Sequence, residues 1–191
     1  MKKWIRRVAL AAVAFALLAV VLTWTSVSSR RTRPKNLLLV SLDTVRADHL
    51  GCYHDGAAQT PAIDALAASG LRFEQASTVV PLTLPAHASL MTGTFPGWHG
   101  VRDNGGFYLD DDQRTLAEVL RDSGFRTGGF VGAFVLDRRW GIAQGFDRYV
   151  DDFDLDRFEN GGGMDMIQRP GSEVADRALE WLRSEGNRRS L

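Results

Sequence analysis

The residues that could carry chemistry gather around one threonine, in the stretch P-L-T-L-P-A-H-A-S-L-M-T-G over residues 81–93. Thr83 lies two residues before Pro85, which suits the first turn of a helix, and His87 follows one helical turn later. A helix N-terminus attracts anions such as phosphate or sulfate, and a hydroxyl held there can attack such an anion once it is activated. A helix cap is the ordinary role of a hydroxyl at this position, so both interpretations stay open here.

A second candidate is Asp43, which ends the apolar run N-L-L-L-V-S-L-D that begins at Asn36. Such a run predicts a parallel strand that is covered on both faces. Ligands of open α/β sheets bind at the carboxyl ends of the strands, so an acid at this point is placed to serve a site. A solvated turn or a helix cap would explain the same acid, and taken alone that explanation is the better one.

Helix and strand signals alternate along the rest of the chain. We predict helices that begin at hydroxyl residues and end at glycines over 60–70, 83–93 and 115–124, and an amphipathic helix over 172–183. The last helix is predicted to bury one face, formed by Val174, Ala178, Leu179 and Leu182. We predict strands over 36–43, 71–76 and 125–133. This alternation predicts an α/β fold with a mainly parallel sheet.

The acidic run D-D-F-D-L-D and the run G-G-G-M-D are interpreted as solvated loop without chemistry. Residues 1–35 hold eight basic and no acidic residues, whereas residues 36–191 hold fifteen basic and twenty-three acidic ones. An acidic body argues against a nucleic-acid partner, which would require a basic face. The single cysteine, Cys52, excludes an internal disulfide.

The N-terminus is predicted to target or anchor the protein. Residues 8–24 form an unbroken apolar run of seventeen behind a basic start, close to the lower limit for a membrane span. No clean small-residue cleavage site follows the run, which slightly favours an uncleaved anchor. We therefore predict a signal peptide or membrane anchor over 1–25, a basic linker over 26–35 and a catalytic domain over 36–191.

Three segments together resemble the N-terminal part of the sulfatase family, within the alkaline phosphatase superfamily. They are N-L-L-L-V-S-L-D-T-V-R-A-D-H-L-G-C-Y, T-P-A-I-D-A-L-A-A-S-G-L-R-F-E-Q-A and T-L-P-A-H-A-S-L-M-T-G-T-F-P-G-W-H-G-V-R-D-N. The resemblance runs from about Asn36 to about residue 185. The resemblance implies a three-layer αβα sandwich and metal-dependent hydrolysis of an anionic ester. It also implies that the protein is membrane-anchored or exported and functions on the extracytoplasmic side.

The resemblance also implies roles for four residues. Asp43 matches the first metal ligand, and Thr83 matches the nucleophile, which also contacts the metal. His87 stands where formylglycine sulfatases carry an arginine, and Asn104 resembles an anion-binding amide, so both would bind substrate. The implied cofactor is a divalent metal ion, Ca, Zn or Mn. The implied substrate is a small, glycan-linked or lipid-linked anionic ester.

The sequence departs from the family pattern at both candidate positions. Asp43 is followed by Thr44, where many sulfatases carry a second acid. Sulfatases make formylglycine from cysteine or serine in C/S-x-P-x-R, and a threonine cannot be converted in this way. The threonine form is the one that phosphoryl-transferring relatives use. We therefore favour a phosphate, phosphodiester or phosphonate ester over a sulfate ester.

The family completes its metal site with a later Asp-His pair, often D-H-G, and this sequence has no D-H-G. His49 and His54 are predicted to lie on the surface. We therefore expect a truncated enzyme that is inactive alone. The alternative is a membrane-tethered, non-catalytic remnant that binds an anion or a protein partner. A nucleotide-binding domain is disfavoured because neither G-x-G-x-x-G nor G-x-x-x-x-G-K-[ST] occurs.

Overall fold

The computed structural model describes residues 36–56, 58–153 and 167–184. The predicted anchor over 8–24, the predicted linker and most of the acidic and glycine-rich runs lie outside these ranges. The chain divides into two compact units, Met1–Thr44 and Val45–Leu191. Among the described residues, no helix is both long enough and apolar enough to cross a membrane.

The described part of the first unit, residues 36–44, contains neither helix nor strand. The large apolar side chains between positions 37 and 42 are 51–76 % exposed. The predicted buried strand over 36–43 is therefore wrong for this structure. An apolar run becomes a strand only where a neighbouring strand pairs with it, and the described part of this unit contains no second strand. Asp43 and Thr44 form a turn, in which Thr44 has a left-handed φ of 57°.

The second unit contains five described α-helices and two short strands. The helices are α1 Pro61–Ser69, α2 Thr83–Thr92, α3 Pro96–His99, α4 Leu116–Asp122 and α5 Gly171–Ser184. The strands are β1 Gly128–Phe130 and β2 Arg148–Val150. Short 3-10 helices lie at Ala47–His49, Phe134–Leu136 and Arg138–Trp140. The predicted strand over 71–76 is not formed, again because no described segment pairs with it.

The predicted helix ends are confirmed, although one of them has a different cause. The helix α2 ends at Gly93, whose left-handed φ of 69° costs glycine little. The helix α4 begins with the predicted capping box, because Thr115 and Glu118 each accept from the other's backbone amide. Thr60 precedes α1 but does not cap it: its hydroxyl accepts from the Gly51 amide and donates to the Asp64 carboxylate.

The two strands form a parallel pair, as the alternation of elements predicts. Gly129 of β1 lies opposite Tyr149 of β2, and a Cβ on Gly129 would meet the Tyr149 ring at 2.6 Å. On the neighbouring position, a Cβ on Gly128 would lie 3.1 Å from the Trp181 ring of α5. The glycines of β1 therefore let aromatic rings approach the strand closely.

The helix α5 covers β1, but not with the whole of the predicted face. Its Trp181 ring packs on Phe130 of β1 with ring centroids 5.9 Å apart. Val174 is half-buried, whereas Leu179 and Leu182 are 45 % and 43 % exposed. The predicted amphipathic helix is thus formed, and the three-residue strand β1 covers only part of its apolar face.

The acidic run D-D-F-D-L-D is not wholly solvated, which corrects the prediction of a solvated loop. Asp151 is 7 % exposed and accepts hydrogen bonds from the backbone amide and the Nε of Arg138, each at 2.8 Å. Burial alone would raise the pKa of Asp151, but the hydrogen bonds and charge of Arg138 outweigh burial and lower it. Asp151 is thus a structural carboxylate.

The main core of the second unit lies against α2. Its fully buried members are Leu84 and Ala88 of α2 together with Val101 and Leu109, and Leu136 and Ile142 close the cluster. Burial of this size contributes about 25 cal/mol for each Å² of apolar surface removed from water. The helix that carries the candidate nucleophile is therefore one of the most firmly packed elements of the unit.

Candidate active site at the start of helix α2

Thr83 is the first residue of α2 rather than its cap. The cap position is Leu82, which has extended backbone angles (φ −131°, ψ 137°) and no side chain that could bond to a helix amide. Thr83 is half-buried, whereas the next two residues, Leu84 and Pro85, are fully buried. The apolar residues thus fix the first turn of the helix, and the threonine hydroxyl is not the group that caps it.

Asn104 provides the missing cap from twenty positions along the chain. Its side-chain oxygen Oδ1 accepts a hydrogen bond of 2.9 Å from the Leu84 amide. A helix begins more stably when an outside oxygen satisfies one of its first amides. The same bond fixes which end of the Asn104 side chain is the oxygen, so its Nδ2 presents two N–H donors on the other side.

His87 is tied to the same turn. Its Nδ1 lies 2.8 Å from the carbonyl oxygen of Thr83, and a nitrogen at that distance from a carbonyl must carry the proton and donate it. In the neutral ring this leaves Nε2 as the acceptor nitrogen. The structure therefore brings together three of the four predicted site residues: Thr83, His87 and Asn104.

The backbone amides of residues 84–86 cannot bind the predicted anion. The Leu84 amide is bonded to Asn104, Pro85 has no amide hydrogen, and the Ala86 amide donates to the Leu82 carbonyl at 3.0 Å. An anionic group at this turn would consequently be held by side chains rather than by the backbone amides of residues 84–86.

His99 is a residue that the sequence analysis left without a role. It ends α3, is 3 % exposed, and its Nδ1 accepts from the Val101 amide at 3.2 Å. The proton of the neutral ring is then on Nε2, which donates to Ser89 Oγ of α2 at 2.9 Å. Burial lowers the pKa of His99, which favours this neutral form. His49 and His54 are exposed, as predicted.

The structure places Asp43 in the first unit, at the turn before Thr44. No three His, Cys, Asp or Glu side chains of the described ranges lie together in a way that would hold a metal ion. Sulfatase-family members are generally metal-dependent. The described residues alone do not form a site that fits such an ion, because a stable site requires about four ligands.

The parallel α/β fold is similar to that of two solved structures. One is BT4656 in complex with its substrate D-glucosamine-2-N,6-O-disulfate, with a TM-score of 0.56, 23 % identity, and coverage of 73 % of this chain and 29 % of that one. The other is the phosphonate monoester hydrolase of Agrobacterium radiobacter, with a TM-score of 0.55, 26 % identity, and coverage of 82 % and 30 %.

The sequence relatives agree with the fold. The model of the Sulfatase family matches residues 35–185, and the chain belongs to that family. It is 27 % identical over 157 residues to N-acetylglucosamine-6-O-sulfatase of Bacteroides thetaiotaomicron, covering 79 % of this chain and 28 % of the relative. It is 35 % identical over 134 residues to human arylsulfatase A, covering 62 % and 25 %. The chain thus spans under a third of the length of these relatives.

Proposed function

We propose that this chain carries the nucleophile of a hydrolase that acts on phosphate, phosphonate or sulfate esters, with Thr83 as the attacking residue. The observation that supports the proposal is the arrangement of the first turn of α2, where Asn104 caps the helix and the Thr83 hydroxyl is not the cap. The start of α2 therefore does not depend on Thr83 as its cap, and the residue that matches the family's nucleophile lies in the same turn as the Asn104 and His87 contacts.

The side chains around Thr83 suit an anionic ester. Asn104 is fixed by its oxygen, so its two Nδ2 hydrogens are the donors that it can direct toward non-bridging oxygens. His87 is fixed through Nδ1, and its Nε2 can bind such an oxygen when the ring is protonated. Both residues would stabilise the charge that develops during the transfer.

The proposed reaction has two displacements. In the first, Thr83 Oγ1 bonds to phosphorus or sulfur, the ester bond breaks, and the hydroxyl proton ends on the departing alcohol. In the second, water cleaves the new threonine ester, which restores the hydroxyl and releases phosphate or sulfate, or the phosphonic acid when the substrate is a phosphonate ester. A free hydroxyl is a weak nucleophile, and a divalent ion, when bound, would supply its activation. Asp43 is proposed as one ligand of that ion.

The substrate class follows from the residue at position 83. Formylglycine chemistry is closed to a threonine, so we favour phosphate and phosphonate esters over sulfate esters. The likeness to a phosphonate monoester hydrolase supports this preference, and the relatives that act on sulfated glucosamine support an anionic sugar ester as the competing substrate. We also propose that the protein adopts the three-layer αβα sandwich that the resemblance to the family implies.

The test is to trap the covalent intermediate on the full chain. The purified protein would be mixed with Ca²⁺, Zn²⁺ or Mn²⁺ and with p-nitrophenyl phosphate, p-nitrophenyl phenylphosphonate or p-nitrophenyl sulfate, and then quenched in acid. Peptide mass spectrometry should find a phosphoryl or phosphonyl group on Thr83, and none in Thr83→Val. Trapping is chosen because it detects a single turnover, which a partial site can still perform.

The outcomes separate the candidate functions. Label on Thr83 from the phosphate or phosphonate ester supports the proposal, and label from the sulfate ester alone would reverse the order of substrates. Equal labelling of the Thr83→Val protein would remove Thr83 from the mechanism. No label with any ester and ion would overturn the hydrolase proposal and favour the tethered, non-catalytic protein.

We also propose that residues 8–24 hold the protein at a membrane, with residues 36–191 on the extracytoplasmic side. The length of the apolar run supports the membrane location. The extracytoplasmic side is proposed from the family resemblance, because basic residues flank the run on both sides and give little orientation. The test is protease treatment of intact cells or spheroplasts that carry the full chain with a C-terminal epitope. Loss of the epitope without lysis is the expected result, and protection until lysis would contradict the proposed side.

A further inference from the structure

One short segment, residues 99–104, contacts α2 near both of its ends. At the end of the segment, Asn104 Oδ1 accepts from the Leu84 amide in the first turn of α2. At its beginning, His99 Nε2 donates to Ser89 Oγ, six positions after the first residue of α2. Thr83 therefore lies on a helix that one segment holds at two separate points.

Loss of the hydrogen bond between His99 and Ser89 would destabilise the folded protein. The ring is buried, and both of its nitrogens are used, one by the Val101 amide and one by Ser89. Removing the Ser89 hydroxyl would leave a buried N–H without its acceptor, which destabilises the folded state. The contact thus has one preferred geometry, and it fixes the position of α3 against α2.

The segment between the two contacts is anchored in the core at one residue. Val101 is fully buried in the cluster that also contains Leu84 and Ala88 of α2, whereas residues 100, 102 and 103 are exposed. Because Val101 packs against the first turn of α2, a shift at His99, two residues earlier, reaches that turn through the packed core.

We infer that His99 is a positioning residue for Thr83: through Ser89 at one end and Asn104 at the other, it sets the placement of the first turn of α2. This inference rests on the proposed function of Thr83 for its catalytic consequence, but not for the structural one. His99 itself does not contact the substrate. Its effect would reach the reacting hydroxyl through the helix.

The experiment compares three variants of the full chain. Ser89→Ala removes the acceptor of His99 Nε2, and His99→Asn keeps an acceptor near the Val101 amide but cannot reach Ser89. Thr92→Val is the matched control, since Thr92 is a half-buried α2 residue whose hydroxyl bonds to Ala88 and Thr94 and not to residues 99–104. Each protein is measured by thermal unfolding, by hydrogen exchange of peptides covering residues 82–88, and by the rate of labelling of Thr83.

The two variants of the His99 contact should increase hydrogen exchange in residues 82–88 about tenfold, as expected when about 1.4 kcal/mol of local stability is lost. Labelling of Thr83 should slow in the same two variants, with an unchanged substrate concentration for half-maximal rate. The control should lower the melting temperature comparably and leave both readouts unchanged.

Unchanged exchange in residues 82–88 after Ser89→Ala would overturn the inference, and so would an equal increase in Thr92→Val. If the unmodified chain shows no labelling at all, the proposed function fails. The exchange data then decide the positioning role alone, because they report the helix turn and not the reaction.

Discussion

Two helices of this protein begin with a threonine, and the two threonines do different work. Thr115 is the cap of α4: its hydroxyl accepts from the Glu118 amide, donates to the Gln144 carbonyl and is fully buried. Thr83 is the first residue of α2 and is half-buried, while the cap bond comes from Asn104. A threonine at nearly the same place therefore caps one helix and does not cap the other.

The difference teaches where to look for a functional hydroxyl. A local cap is self-sufficient, because the capping box closes within four residues. A cap from a distant segment requires a long-range contact, such as the one between Asn104 and the Leu84 amide. The hydroxyl at the helix start then does not serve as the cap. Each prediction below tests one side of this comparison, beginning with the largest expected effect.

The strongest test of the α4 start is Gly145→Ala. Gly145 has a φ of 85°, and a Cβ there would lie 2.2 Å from the Glu118 backbone nitrogen. Because the obstacle is backbone, we expect a loss of about 4 kcal/mol or more in the free energy of unfolding. The matched control is Gly93→Ala at the end of α2, where φ is 69° and the space is open, with an expected cost of about 1–2 kcal/mol. Denaturant unfolding measures both, and equal losses would contradict the prediction.

The direct comparison is Thr115→Val against Thr83→Val. The first variant removes a buried hydroxyl with a donor and an acceptor, so we expect a loss of about 1–3 kcal/mol in the free energy of unfolding. The second should lose less stability but all labelling at position 83. Equal stability losses would show that the two helix starts are built alike, and a larger loss at Thr83 would reverse the comparison.

Asn104 separates capping from anion binding. Asn104→Ala should cost about 1 kcal/mol in the free energy of unfolding, because the Leu84 amide loses its acceptor. Asn104→Asp keeps an oxygen acceptor and adds a charge that a helix start favours, so stability should return. The added charge repels an anionic ester, so labelling of Thr83 should stay slow in the Asp variant. Full labelling by Asn104→Asp would exclude the amide from substrate binding.

The smallest expected effect is a pH dependence of stability with two windows. Burial lowers the pKa of His99 in the folded protein, so His99 of the unfolded chain is protonated at a higher pH than His99 of the folded one. The free energy of unfolding therefore falls as the pH drops below about 6.5. Despite its burial, the Arg138 contacts lower the pKa of Asp151, so that contribution is lost only as the pH falls below about 4. Denaturant unfolding measured at a series of pH values should lose the first pH dependence in His99→Asn and the second in Asp151→Asn. Loss of the other pH dependence in either variant would refute the assignment.

The parts of the fold that the sequence predicted are the ones whose cause is local. The capping box at Thr115, the proline at the start of α1 and the glycine at the end of α2 act within one turn, so the letters alone indicate them. The glycine-rich strand β1 and the parallel pairing were likewise predicted. The strands over 36–43 and 71–76 were wrong, because a strand depends on a partner that the run itself cannot specify.

The candidate site shows the same division. The spacing of Thr83, Pro85 and His87 placed the nucleophile candidate at a helix start, and the structure confirms that position. The bond from Asn104 to the Leu84 amide joins residues twenty positions apart and has no local signal. His99 was missed for the same reason, since a histidine before a glycine looks alike whether its ring is buried or exposed. The roles of Asp43, Thr83, His87 and Asn104 in substrate or metal binding stay predictions.

The exposed apolar side chains at positions 37–42 have a consequence for handling the protein. The sequence L-L-L-V-S-L carries no charge and no proline, and its large side chains face solvent. Short uncharged segments of this kind pair with copies of themselves and nucleate aggregates. Soluble yield of this chain will therefore depend on concentration and on chaperone supply, and a lysine introduced at Ser41 should delay the onset of turbidity.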